Sequence, residues 1–222
     1  MSEPSKFRLT PRPHRRGTKT ETRERLLQAA LELLERGGET AVTTVSVTQA
    51  AGFVQSAFYP HFSSAKQCVV AAAERVTSDI REAVAQARRH MYDVGPGEGE
   101  DLIQFNLKIF QLAEQHRHVV KLFLRYRSDP LALDGVMHRF ARDLTADLAS
   151  QLQEQLRKAG AATVPSDWNE RLADCLMGAS LSAIEAHLDG RAIPAREHAE
   201  LLATFSEGAC AAAYGSTILP AP

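Results

Sequence analysis

The residues with the most distinctive chemistry lie between positions 43 and 66, where hydroxyl, amide, imidazole and amino groups alternate with apolar side chains. The amide of Gln55 can form two hydrogen bonds with an adenine edge, and the short hydroxyl of Ser56 beside it can also reach base edges. Tyr59 and His61 carry a hydroxyl and an imidazole that suit phosphate oxygens. This segment is therefore the first candidate for a binding site.

Such side chains need a rigid support, and the preceding sequence has the pattern of short helices. Apolar residues recur at spacings of three and four from residue 20, and Gly37-Gly38 supplies a stop. A second helix is predicted over Thr44–Ala51, with Thr43 or Thr44 at its start able to donate to a phosphate. Gly52 then stands where a sharp turn often needs a positive φ.

A third short helix is predicted from about Gln55 to His61, three residues after the second. Val47, Ala51, Phe53 and Phe58 are spaced so that two short crossing helices would share a small core. This is the layout of a helix-turn-helix, whose second helix enters the major groove of DNA. On spacing alone, an ordinary corner between two helices fits equally well.

The run from Ala51 to Phe62, AGFVQSAFYPHF, followed by Ser63-Ser64-Ala65-Lys66, resembles the N-terminal signature of the TetR family of bacterial transcriptional regulators. The resemblance covers about residues 20–75. It implies that Gln55, Ser56 and Ala57 lie on the recognition helix. It also implies that Tyr59 and His61 contact the DNA backbone.

Four positions depart from the family pattern. Val54 replaces the serine that usually caps the recognition helix, and Thr48 replaces a small residue of the bracing helix. Pro60 replaces the second aromatic residue and is expected to end the recognition helix early. Ala65 stands where the family commonly has a lysine, so Lys66 is expected to take over the phosphate contact.

Charge is divided unevenly along the chain. Residues 1–66 contain ten Lys and Arg against six Asp and Glu, a net charge of +4, whereas residues 67–222 have a net charge of −5. A basic N-terminal part suits nucleic acid. Residues 1–19 are predicted to be a flexible basic arm, in which Arg12, Arg15 and Arg16 either enter a minor groove or stay solvated.

Long amphipathic helices are predicted over the rest of the chain, at about residues 64–91, 100–116, 118–127, 134–159, 166–188 and 194–214. The predicted fold class is therefore all-α. Residues 20–66 are assigned to a three-helix helix-turn-helix domain. Residues 67–217 are assigned to a helical domain that, by the resemblance, binds a small effector and forms a homodimer.

The two roles of this second domain are assigned to separate sets of residues. The predicted effector pocket comprises Phe105, Ile109, Phe123, Arg127, His138 and Trp168, in which apolar side chains are combined with a few polar groups. The predicted dimer interface, on the last two helices, comprises Leu172, Cys175, Leu176, Ala179, Leu202, Phe205 and Ala209. Part of both sets would in any case belong to the core of one protomer.

Several function classes lack support in the sequence. No motif of a serine hydrolase, a P-loop, a zinc protease or a dinucleotide-binding enzyme is present, so no catalytic residue, cofactor or metal is predicted. Three cysteines without CxxC spacing suit a reducing cytoplasm, and no apolar run is long enough to span a bilayer.

The sequence thus predicts a cytoplasmic, homodimeric transcriptional regulator that binds a palindromic operator in double-stranded DNA. We expect a repressor that a small-molecule effector releases from the operator. Two alternatives stay open. One is a ligand-independent accessory DNA-binding protein, and the other is a helical ligand-binding protein or enzyme without DNA binding.

Overall fold

The computed structural model describes residues 18–93, 99–158, 166–190 and 193–214. These residues form eight α-helices, and no strand occurs within them. The helices are α1 Lys19–Gly37, α2 Thr44–Ala50, α3 Ala65–Asp93, α4 Gly99–Gln115, α5 Arg117–Tyr126, α6 Val136–Lys158, α7 Ser166–Leu188 and α8 Ala195–Tyr214. The predicted all-α fold, with an N-terminal helix-turn-helix followed by a helical bundle, is confirmed.

Helix α1 begins at a reciprocal cap. The Thr18 hydroxyl accepts a hydrogen bond from the Glu21 backbone N–H, and the Glu21 carboxylate accepts one from the Thr18 N–H. The helix buries its leucine face, including Leu26 and Leu34, which are fully buried. It is capped at its end by Gly38, whose φ of +69° is a conformation that favours glycine.

The recognition helix, predicted from about Gln55 to His61, is much shorter than expected. Gln55–Ala57 form a single 3₁₀ turn, and hydrogen-bonded turns continue to His61. Two substitutions explain the difference: Val54 provides no side-chain cap, and Pro60 has no N–H to donate to the Ser56 carbonyl four residues earlier. The predicted early end at Pro60 is therefore correct, and the predicted helical span is wrong.

Helix α3 connects the two parts of the molecule. Near its start, Cys68 and Val69 pack into the same core as α1, and the Cys68 thiol donates a weak hydrogen bond to the Leu26 carbonyl at 3.6 Å. Further along, Ile80 and Val84 pack against the C-terminal helices. At about 1.5 Å per residue, its 29 residues span roughly 40 Å.

The C-terminal helices pack around two apolar clusters. The larger is continuous with the core of α1 and α2, and the smaller joins α6 to α7 through Ala149, Leu152, Ala173 and Leu176. Helix α4 packs mainly on α8, and α6 packs mainly on α7. The turn before α6 is unusual, because Leu133 and Asp134 both have φ values near +50° and Leu133 is buried. A bulky residue in this region of φ and ψ is strained and persists only where the surrounding structure fixes it.

Candidate nucleic-acid interface and ligand cavity

The turn between α2 and the 3₁₀ segment places short polar side chains on the outside. Gly52 has the positive φ expected from the sequence, at +73°. Phe58 and Phe62 are buried beneath the turn, whereas Gln55 and Ser56 are exposed and Ala57 is partly buried. The buried rings thus form a rigid base, and the polar groups above it face solvent.

The two threonines at the start of α2 have different partners. Thr43 caps the helix: its hydroxyl accepts from the Ser46 backbone N–H at 3.0 Å, and the Ser46 hydroxyl accepts from the Thr43 N–H at 2.8 Å. Thr44 Oγ1 accepts a hydrogen bond from Gln55 Nε2 at 3.3 Å, which links the bracing helix to the 3₁₀ turn. The Thr44 hydroxyl proton can still be donated to another acceptor.

Positive charge gathers beside His61. The pKa of His61 lies below its ordinary value of 6.5, first because the ring is partly buried and then because Lys19 and Arg23 stand close to it. Arg23 also lies over the Phe62 ring, 5.1 Å from its centroid. Tyr59 is 57% exposed on the same stretch of chain. These groups form a basic, hydrogen-bonding surface suited to phosphate.

Sequence reasoning did not identify Arg23 or Arg25 as part of this region. Arg25 donates a hydrogen bond to the Ala51 carbonyl at 2.6 Å and lies over the Phe53 ring at 4.5 Å. It therefore supports the turn, while Arg23 adds charge to its surface. Both arginines follow the predicted arm, and their placement needs the packing of α1 against α2 and the turn.

Lys66 lies at the start of α3, next to this surface. Its ammonium group is 2.5 Å from Asp134 Oδ1 on the strained turn before α6, and the two side chains are 69% and 54% exposed. Arg12, Arg15 and Arg16 lie outside the described residues.

A cavity of about 260 Å³ lies among the C-terminal helices, and each of the six helices from α3 through α8 contributes to its wall. Its lining is mainly aliphatic and aromatic, and it includes Phe105, Ile109 and Phe123 from the predicted pocket. Arg88 and Asn106, which sequence reasoning did not single out, also line the cavity and are more than nine-tenths buried. A mostly apolar cavity with few polar groups is typical of a small-molecule site.

The other three predicted pocket residues lie elsewhere. Arg127 and His138 line a separate surface depression beside α7, and the Arg127 carbonyl is 3.2 Å from His138 Nδ1. Trp168 is 42% exposed near the start of α7 and does not line the cavity.

The residues predicted for a dimer interface fall into two groups. Leu176 and Leu202 are buried and line the cavity, so they face the inside of the protomer. Leu172, Ala179 and Ala209 are partly buried, whereas Cys175 and Phe205 are exposed. Leu201, which the sequence prediction left out of the interface, is the most exposed large apolar residue of α8, at 67%.

Two other classes of site are absent from the described residues. No group of three or more His, Cys, Asp and Glu side chains within them could hold a metal ion. No helix in the described ranges is long and apolar enough to cross a membrane.

The comparisons with known proteins agree with this geometry. Residues 26–72 match the family model described as bacterial regulatory proteins, tetR family. A structure described as a TetR-family transcriptional regulator from Syntrophomonas wolfei is 15% identical with a TM-score of 0.67, covering 86% of this chain and 95% of that one. A second such structure, from Mesorhizobium loti, is 17% identical with a TM-score of 0.67, covering 90% and 99%.

A third similar structure is the fatty acid degradation regulator FadR from Bacillus halodurans. It is 13% identical with a TM-score of 0.64, and the match covers 86% of this chain and 96% of that one. At these identities the likeness shows a shared fold. Together with the family model, it confirms the resemblance predicted from the sequence: the chain carries the N-terminal domain of the TetR family and has the fold of TetR-family transcriptional regulators.

Proposed function

We propose that this protein is a cytoplasmic, sequence-specific DNA-binding regulator that acts as a homodimer and represses transcription until a small effector binds. One observation carries the proposal. Helix α3 has the helix-turn-helix packed at one end, and its later residues Ile80 and Val84 form a wall of the apolar cavity. A single rigid element thus connects the candidate DNA surface with the candidate effector site.

The DNA-binding part of the proposal rests on the exposed turn. Gln55 and Ser56 would reach base edges, while Thr44, Tyr59 and His61 would contact phosphates. Lys19 and Arg23 supply positive charge beside them. We assign Thr43 mainly to capping α2, because its side chain is already engaged with Ser46.

The homodimer would form through the outer faces of α7 and α8. Leu201, Phe205 and Trp168 are large apolar side chains exposed there at 67%, 45% and 42%. A side chain added at Gly178 or Gly208 would meet no atom within 4 Å, so these positions leave room for a partner. A two-fold dimer would present two recognition turns to a palindromic operator.

Effector release requires the ligand to bind one dimer conformation better than the other. Two structural connections would transmit the change of conformation from the cavity to the DNA-binding domain. The first is α3 itself, and the second is the contact between the Glu35 carboxylate of α1 and the His118 ring of α5, a helix that lines the cavity. By reciprocity, operator binding would lower effector affinity by the same factor.

Selection of genomic fragments with the purified protein, at two salt concentrations, tests this proposal. Recovery of a palindrome would support a dimeric regulator and would supply the probe for effector screening. Weak binding without sequence preference would favour an accessory DNA-binding protein. Absence of salt-dependent binding would favour a helical ligand-binding protein and would refute the proposal.

A further inference from the structure

Asn106 is a polar side chain in a mainly apolar part of the cavity wall. It is 7% exposed on α4, where its neighbours Phe105, Ile109 and Phe110 also line the cavity. Its Nδ2 donates a hydrogen bond to the Ala199 carbonyl of α8 at 3.3 Å. No described residue donates a hydrogen bond to its Oδ1, and this oxygen is not fully buried.

The orientation of this amide follows from its single bond. A backbone carbonyl can only accept, so the atom that faces Ala199 must be the nitrogen. The carbonyl oxygen is therefore the atom left to accept a further hydrogen bond. The Ser180 hydroxyl also lines the cavity, but it donates to the Leu176 carbonyl at 2.9 Å and is not free to be that donor.

We propose that the cavity binds a mainly apolar molecule with an O–H or N–H donor, and that Asn106 Oδ1 accepts this donor. The inference deepens the proposed function, because it rests on the cavity being the effector site and names the class of ligand. A ligand that fills the cavity would cover this oxygen, and a covered amide oxygen without a partner is unfavourable unless the ligand supplies a donor. Asp101 and Glu207 also line the cavity, but both are partly exposed, so water can solvate their carboxylates.

Indole and benzofuran provide a matched pair of probes. They have the same shape, but indole has a ring N–H where benzofuran has a ring oxygen. Calorimetry on the full chain would measure both dissociation constants for the wild type and for Asn106→Leu. We expect the ratio of the benzofuran Kd to the indole Kd to be about three to ten times larger in the wild type than in Asn106→Leu. A factor of this size corresponds to the loss of one buried hydrogen bond. Ser206→Ala, at another polar cavity residue, is the control and should keep the wild-type ratio.

The same experiment separates a ligand-binding role from a structural one. If Asn106 only joins α4 to α8, Asn106→Leu should lower the melting temperature and leave the probe ratio unchanged. If it binds a donor, the ratio should fall whatever the melting temperature does, because Asn106→Leu removes the bond to the Ala199 carbonyl in either case. Asn106→Met is the second variant should the leucine fail to fold.

Three results would overturn the inference. They are an equal ratio in the wild type and the variants, a loss of the ratio in Ser206→Ala alone, and binding of neither probe by the wild type. Operator binding by the ligand-free wild type is measured separately. A protein that discriminates the probes but binds no DNA would refute the proposed function and leave the donor site standing.

Discussion

The Lys66–Asp134 ion pair provides a quantitative test of how the DNA-binding domain is coupled to the helices that line the cavity. Asp134 belongs to the turn that leads into α6, and α6 lines the cavity with Phe140 and Leu144. A carboxylate 2.5 Å from the Lys66 ammonium competes with any phosphate for that cation. We therefore predict that Asp134→Asn strengthens operator binding.

The size of the effect follows from exposure. Both side chains are more than half exposed, and ion pairs of this kind contribute about 0.2–1 kcal/mol. Removing the competing carboxylate should thus raise operator affinity by roughly 1.4- to 5-fold. Asparagine suits this position because it tolerates the φ of +52°, and the Asp134 backbone carbonyl still accepts from Arg139.

Fluorescence anisotropy with labelled operator, measured over a range of salt concentrations, is the assay. A phosphate newly neutralised by Lys66 should steepen the plot of log affinity against log salt by about 0.9. In a Lys66→Gln background, Asp134→Asn should lose most of its effect. Asp143→Asn is the matched control, because Asp143 also joins α6 to a basic residue of α3, with Arg81 at 2.9 Å.

Unchanged or weaker operator binding by Asp134→Asn would refute this reasoning. An equal gain from Asp143→Asn would also refute it, since the effect would then come from net charge alone.

Three further predictions concern the candidate surfaces. Gln55→Ala should cost about 1–3 kcal/mol at one base position if Gln55 reads a base, and a selection repeated with the variant should show relaxed preference there; an equal loss on every sequence would make it a backbone contact. A phosphate beside His61 would raise a pKa that lies below 6.5 in the free protein. Binding would then take up a proton, so operator affinity should rise as the pH falls toward the lowered pKa of the free protein, and His61→Gln should flatten this dependence. Leu201→Glu should dissociate the dimer while leaving helical content unchanged, which sedimentation and circular dichroism can measure; an unaltered dimer would place the interface elsewhere.

Local pattern predicts the helices of this chain well. Helix α7 begins and ends where its apolar spacing and the following glycine indicate, at Ser166 and Leu188. The recognition turn is different, because its conformation depends on two effects that act together at Val54 and Pro60. Each weakens a helix, and their combination leaves one 3₁₀ turn.

The candidate sites depend on contacts between distant residues, which no local pattern contains. Helices α7 and α8 carry apolar residues on more than one face, so spacing cannot tell that Leu202 lines the cavity while Leu201 faces solvent. A buried asparagine such as Asn106 looks like any surface residue of an amphipathic helix. The position of Lys66 beside the motif predicts a phosphate contact, but its pairing with Asp134 depends on the packing of the strained turn against α3.

The central claim is that the turn over residues 55–61 reads DNA sequence. The most direct measurement compares the affinity of the wild-type protein for a selected operator and for a scrambled fragment, at about 50 and 200 mM salt. We expect a preference for the operator of at least about a thousandfold, together with a steep fall in both affinities at the higher salt. Equal affinity for the two fragments would contradict it.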